Sequence, residues 1–540
     1  MNDANPQLDL SDPPKSWLFK SSSLGGSFRV YLPALVSMRL LGMARMLAFA
    51  WLILKTEYGL SRLALLLINL LSAVVRLGVP VGLERYTPSY EKAGQLAQFA
   101  RRGIWLATGV TAALTLLVAA FSPWLYYPFF ASDELAVQGA SPAYLFRITL
   151  ACLGVTLVLS IYFGVLGILR GLRMYRALSV MEVVHGVTFL LFGVGGLLVG
   201  GDLQWGAGQL APLPGAALVL TVAYGASLLV TTVWIHLALV WHLRRWRSQQ
   251  QPMTQSPVGL MRQLLRFGGY MSVVNVLWTL FSMFGLWFVN KRRADEAGLF
   301  ALAGDLMQVV PWLAISVWPV AQNSAAHLWE QGRKSEAAHQ LGQVFRLSGW
   351  PLWLLCAALV LCRSAIQHLV PSTRYAGLAD LIPWLLAMHL WFAHLSLPVA
   401  HAYLLERSRL MLTAAIIGLA GYIGAAWFLE PTWHAMGVAQ AGAIGTAMAT
   451  LTLMWLVNRK TDLHEWLTLR DIPLMVSPVL LAAPSIWPVG GDWMLAALAV
   501  TVFVLISCTS LLWSPDDGET FRRYVTHSVR TVLGRPRRRA

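Results

Sequence analysis

The sequence predicts an all-α polytopic membrane protein, and three observations carry the prediction. Of its 540 residues 57% are hydrophobic and only 12% charged, about half the charged share of an ordinary soluble domain. The apolar residues gather into fourteen stretches long enough to cross a bilayer. The two halves of the chain also repeat one another at a constant offset. Together these exclude a water-soluble enzyme.

A hydrocarbon core of roughly 30 Å needs about 20 apolar residues per helix. Stretches of that kind run approximately over 28 to 54, 63 to 84, 103 to 125, 144 to 169, 178 to 200, 216 to 243, 267 to 290, 298 to 320, 345 to 362, 379 to 405, 410 to 429, 436 to 457, 472 to 489 and 492 to 513. They are continuously apolar and lack the ten-residue alternation of a membrane barrel, so they predict helices.

Loop charges set the orientation, because cytoplasmic segments are enriched in Lys and Arg. With the N-terminus inside, and residues near a span end counted with the adjoining loop, the inner segments hold 30 of the 41 positive residues. The outer segments hold eight, and Arg39, Arg45 and Arg76 lie deep in spans. Both termini are therefore expected in the cytoplasm. The net charge of +16 is explained by topology and by contact with anionic lipid headgroups, not by nucleic acid.

Residues 1 to 27 are polar, and the first apolar run is too long for a cleaved signal, so no removable leader is expected. After Trp513 the tail places Phe521, Tyr524, Val525, Ser528, Val529 and Val532 on one helical face beside Arg522, Arg523 and Arg530. That pattern suits a basic helix on the inner membrane surface.

The repeat has an offset of 239 residues. Phe28 meets Phe267 and Tyr31 meets Tyr270; Glu57, Gly59, Leu60, Leu63 and Ala64 meet Glu296, Gly298, Leu299, Leu302 and Ala303; Pro80 meets Pro319. The glycine is expected to permit a tight turn and the proline to bend or end the following helix. An offset of six helices leaves both copies in one orientation, so the core is expected to be two parallel six-helix lobes with a cavity between them. The domain reading is a cytoplasmic segment at 1–27, an N-lobe at 28–243, a linker at 244–266, a C-lobe at 267–458, extra spans at 459–513 and a basic tail at 514–540.

Glu57-Tyr58-Gly59-Leu60 after the first span and Leu77-Gly78-Val79-Pro80 leading to Arg85, Tyr86 and Tyr90 resemble the polysaccharide-flippase branch of the multidrug/oligosaccharidyl-lipid/polysaccharide exporter superfamily. Glu296 to Ala303 and the small-residue run Gly437 to Ala449 are similar to that family too, and the resemblance covers about 28 to 458. It implies a bacterial inner-membrane protein that moves undecaprenyl-pyrophosphate-linked oligosaccharide between leaflets by alternating access. Glycosyltransferases and a glycan polymerase would then be its partners in polysaccharide biosynthesis. A lipid II flippase or a cation-coupled multidrug exporter of the same fold are the alternatives.

Charges inside spans are costly and usually face a cavity or a partner. Arg39 lies ten residues from Arg29, and Arg45 ten from Lys55, about 15 Å from the span ends at ~1.5 Å per residue. With Arg76 they are the candidate pyrophosphate ligands, since guanidinium offers planar, multi-donor geometry. Packing against helix carbonyls or loop acids is the other reading. Their repeat equivalents, Trp278, Phe284 and Ile315, are apolar, so the cationic character belongs to one lobe. Asp305 and Glu182 are the candidate ion-coupling carboxylates; each could instead serve as a counter-ion.

His389, His394 and His401 share the tenth span without a Cys or carboxylate cluster, which argues against a metal. Gly196 and Gly200 form a GxxxG in the fifth span, a small-residue pattern suited to close helix contact. Cys152, Cys356, Cys362 and Cys508 all lie in apolar stretches and form neither a disulfide framework nor a zinc set. No P-loop is present, so no nucleotide cofactor is expected, and no DxD pair or large outer loop points to an enzyme.

Overall fold

The computed structural model describes residues 24–130, 141–172, 174–200, 215–244, 256–371, 373–405, 407–459 and 471–486. Every regular element among them is a helix. The chain divides into two compact units, Met1–Leu302 and Ala303–Ala540. Among the described residues ten helices are long and apolar enough to cross a membrane, and there are shorter apolar ones besides. The protein is a multi-pass, all-α membrane protein. The expected fourteenth span, the basic tail and residues 245–255 of the expected linker at 244–266 lie outside the described residues.

Unit 1 begins with α1 (Leu24–Leu52), α2 (Lys55–Val75), α3 (Val79–Lys92), α4 (Leu96–Ala120) and α5 (Ser122–Phe130). It continues through α6 (Pro142–Gly171), α7 (Tyr175–Gly200), α8 (Ala216–Arg244) and α9 (Pro257–Arg292), and α10 (Ala294–Met307) crosses the unit boundary. α6 is its packing hub, touching α2, α3, α4 and α8, while α1 lies on α7 and α9 lies along α2 and α3. Hydroxyls inside the spans are satisfied one turn back: Thr149 donates to Leu145 O, Thr156 to Cys152 O and Thr221 to Ala217 O. In an apolar medium that local bond removes an otherwise unsatisfied donor.

The second span differs from its expected limits. The helix starts at Lys55, eight residues earlier than the apolar run, and stops at Val75. Arg76 is its C-cap, Leu77 has φ +46° and Gly78 φ +72°, and Pro80 sits in the first turn of α3. Two left-handed residues cannot continue a right-handed helix, and proline restarts one well because its missing N–H is needed by no acceptor there.

The repeated glycines have a different use from the turn expected of them. Gly59 lies within α2, and a Cβ on it would come 2.9 Å from Gly298 N; one on Gly298 would come 1.8 Å from Lys55 O. Thus the two copies of the E-x-G-L pattern pack backbone to backbone against each other. At the other end of α2, Gly78 and Gly268 do the same, with Cβ positions 1.9 and 2.1 Å from each other's carbonyl oxygens. Ser272 donates to Ala73 O and Tyr90 to Gln263 along this seam. Glu57 acts elsewhere, its carboxylate accepting from the Tyr144 hydroxyl at 2.7 Å and from the Ala217 N–H at 2.9 Å. It therefore pins α6 and caps α8, where a negative charge suits the helix N-terminus.

Unit 2 contains α11 (Val309–Glu330), α12 (Lys334–Leu361), α13 (Arg363–His368), α14 (Leu378–Leu404), α15 (Ser408–Asn458) and α16 (Ile472–Ile486). α14 is central and packs on α11, α12, α15 and α16. α15 holds the eleventh and twelfth expected spans, separated at His434, whose φ 54° and ψ −135° break the helix. The two halves meet through small residues, Gly418 against Ala449 and Gly445 against Tyr422. The Asp471 carboxylate, fully buried, pairs with Arg346 at 3.4 Å, and Trp353 donates to Ser477 O. These contacts fasten α16 to α12.

Candidate functional site

Two of the intramembrane arginines, Arg45 and Arg76, have described side-chain contacts in unit 1. Arg45, on α1, lays its guanidinium over the Phe189 ring of α7, 4.2 Å from the centroid. Arg76, at the end of α2, donates from Nε to Ser72 O at 2.7 Å and stands 3.9 Å over the Phe163 ring of α6. A backbone carbonyl and a ring face orient Arg76 without cancelling its charge. Arg39 lies on α1 six residues before Arg45.

Around these cations the helices supply an aromatic and polar wall. Tyr224 of α8 packs edge-on to Phe189 at 5.1 Å and to His185 at 5.4 Å. His185 Nδ1 shares a hydrogen bond of 3.0 Å with the Ser227 hydroxyl, and its ring lies 6.0 Å from that of Tyr162. The Tyr224 hydroxyl feels three guanidinium groups, those of Arg45, Arg62 and Arg76. A region where three permanent cations meet hydroxyls and an imidazole can bind an anion, because guanidinium forks match phosphate and carboxylate oxygens.

Sequence reasoning misses Arg62, Tyr224, His185 and the two ring partners. Arg62 reads as part of an outer loop because Lys55, Glu57 and Arg62 interrupt the apolar run. The structure places it seven residues inside α2. The others come from helices distant in sequence and are visible only once the bundle packs.

The candidate carboxylates are separated. Glu182 lies on α7, three residues before His185 and half-buried. Asp305 is buried in unit 2, at 3% exposure. Nearby, the His389 ring is hydrogen-bonded to the Gly304 backbone. His394 is 1% exposed, edge-on to Phe345 at 5.2 Å and Trp391 at 6.1 Å, with both ring nitrogens unpartnered among the described residues. His401 Nδ1 lies 3.2 Å from Leu397 O. Among the described residues no group of three or more His, Cys, Asp or Glu could hold a metal ion.

No family model matches the sequence, and no curated protein matches it. The fold, however, has solved relatives in shape. A lipid II flippase MurJ in an inward closed conformation aligns at TM-score 0.58 and 12% identity, over 92% of this chain and 100% of that one. An inward-facing multidrug resistance MATE family transporter of the MOP superfamily aligns at 0.62 and 14%, over 81% and 99%. A MOP superfamily transporter from Pyrococcus furiosus, described as having a binding pocket of reverse polarity that suggests a different function, aligns at 0.57 and 14%, over 83% and 98%. The chain therefore has the fold seen in that lipid II flippase and in transporters of the MOP superfamily.

Proposed function

We propose that this chain is a flippase for undecaprenyl-pyrophosphate-linked oligosaccharide, working by alternating access in the bacterial inner membrane with both termini in the cytoplasm. The observation that carries the reading is the pair of guanidinium groups inside unit 1, Arg45 laid on Phe189 and Arg76 on Phe163. Arginine stays charged at any physiological pH, so a pair of this kind inside spans is costly unless an anion repays it. Arg45 and Arg76, with Arg39, are assigned to the pyrophosphate. In water-poor surroundings each charge-assisted hydrogen bond counts for more than at a surface.

Asp305 and Glu182 are assigned to ion coupling, the carboxylates that would exchange a proton or cation during the cycle. Glycosyltransferases that build the lipid-linked glycan would supply the substrate, and a polymerase would consume it. Anionic lipids would hold the basic inner loops. A lipid II flippase is the second reading. It is favoured by the 92% of this chain that aligns with the MurJ structure, against 81 to 83% for the two MOP superfamily transporters. A cationic interior disfavours an exporter of cationic drugs.

The test is translocation of an undecaprenyl-pyrophosphate-linked oligosaccharide in proteoliposomes by the triple variant Arg39→Gln/Arg45→Gln/Arg76→Gln, with folding verified by thermal unfolding. A loss of at least tenfold is expected. Unchanged transport would remove these residues from the mechanism.

A further inference from the structure

His185, on α7, sits at the end of a short hydrogen-bond chain that decides which of its nitrogens carries the proton. The Ser227 hydroxyl of α8 lies 2.8 Å from Tyr224 O and 3.0 Å from His185 Nδ1. A hydroxyl has one proton to give, and a carbonyl oxygen only accepts. Both bonds form together only when Ser227 donates to Tyr224 O and accepts from Nδ1–H. In the neutral ring of that tautomer the lone pair is on Nε2. Among the described residues Nε2 has no hydrogen-bond partner, and the side chain is half-buried rather than sealed in the core.

Rings surround this acceptor. Phe189 is stacked on the imidazole at 6.3 Å and 14°, Tyr224 stands edge-on at 5.4 Å, and Tyr162 is tilted at 6.0 Å. The Arg45 guanidinium lies against the same Phe189 ring. Two opposite chemistries therefore adjoin one ring: a guanidinium only donates and takes anionic oxygens, whereas a bare imidazole nitrogen repels them and takes an O–H or N–H. A sugar bonded to a phosphate offers both kinds of group side by side. We infer that His185 Nε2 accepts a hydrogen bond from the hydroxyl or amide at carbon 2 of the sugar next to the phosphate, with Ser227 the positioning residue that keeps it an acceptor. This rests on the reading of unit 1 as a pyrophosphate site. A polar group placed to pair with a ligand O–H or N–H discriminates against an analogue that lacks it, because the group is then left unpaired.

The experiment titrates the full chain in lipid nanodiscs with glucose 1-phosphate, N-acetylglucosamine 1-phosphate and 2-deoxyglucose 1-phosphate, with folding verified by thermal unfolding. In the unaltered protein at least one of the first two is expected to bind at least tenfold tighter than the deoxy sugar, and the tighter of them identifies the donor. His185→Phe should abolish that preference. Ser227→Ala, which leaves the imidazole in place, should reduce it at least threefold and move the His185 ring signals in nitrogen-15 NMR away from the Nδ1–H tautomer, while Ser227→Thr, which keeps the hydroxyl, should restore both. Equal affinity for the three sugar phosphates in the unaltered protein, or a preference that survives His185→Phe, would overturn the inference. Ring signals unmoved by Ser227→Ala would overturn the part given to Ser227. Inorganic pyrophosphate is titrated in parallel against Arg45→Gln/Arg76→Gln: weakened binding there keeps the pyrophosphate reading whatever the sugars show, and unchanged binding overturns the reading itself.

Discussion

Inside the spans of unit 1 two arginines are laid on rings, Arg45 on Phe189 and Arg76 on Phe163, whereas in unit 2 the side chain set among rings is a histidine, His394, edge-on to Phe345 and Trp391. The two residue types tolerate burial differently. An imidazole can be buried neutral, but a guanidinium keeps its charge and must be stabilised by π faces, carbonyls or a bound anion. The sequence repeat therefore does not extend to chemistry: the positions equivalent to Arg39, Arg45 and Arg76 are Trp278, Phe284 and Ile315. The proposed site for an anionic head therefore falls in unit 1, whereas unit 2 buries the acids Asp305, Glu430 and Asp471.

The largest effect that separates the units is expected at the glycine seam of unit 1. Gly298→Val would drive a side chain into Lys55 O, already 1.8 Å from an ideal Cβ, and backbone cannot yield as a flexible side chain would. No folded protein is expected by size-exclusion chromatography. Gly424→Ala in unit 2, where a Cβ meets nothing within 4 Å, should fold normally.

Next comes the ion pair of unit 2. Arg346→Met removes the guanidinium paired with the fully buried Asp471 carboxylate, a loss of about 3 to 5 kcal/mol. Thermal unfolding should fall accordingly, pyrophosphate binding in unit 1 should hold, and adding Asp471→Leu should recover most of the stability. In unit 1, Glu57→Ala strips an acceptor from the Tyr144 hydroxyl and the Ala217 N–H. The cost is about 1 to 3 kcal/mol, again read by thermal unfolding. The smallest effect is expected at His394→Phe. Removing a buried polar ring with no hydrogen bond should leave stability equal or raise it by about 1 kcal/mol, with anion binding unchanged.

Much of the architecture is legible in the sequence because a bilayer imposes a simple rule: a long apolar run must become a helix. Spans whose ends are abrupt are placed closely; the apolar run at 379 to 405 is α14 (Leu378–Leu404). The second is not, since Lys55, Glu57 and Arg62 hide the start of α2, and the break at Leu77 and Gly78 depends on backbone angles that an apolar count does not register. The E-x-G-L pattern is visible, but its purpose is not. Gly59 and Gly298 need each other's backbone to explain them, a relation across 239 residues. Arg45 and Arg76 are visible as isolated charges, whereas Tyr224, His185, Phe163 and Phe189 are ordinary apolar-span residues until three helices, α6, α7 and α8, bring them to the cations. Asp305 and Glu182 stand out as acids, yet one lies in each unit, and nothing in spacing along the chain tells which faces a pathway.

The central claim is that unit 1 encloses a positively charged site for a phosphorylated head. Its most direct test is the affinity of inorganic pyrophosphate for the full chain in nanodiscs, compared between the unaltered protein and Arg45→Gln/Arg76→Gln at constant salt. The expected result is saturable binding that weakens at least tenfold in the variant while its thermal unfolding stays within a few degrees. Equal affinity in the two proteins, or no saturable binding in either, would contradict the claim.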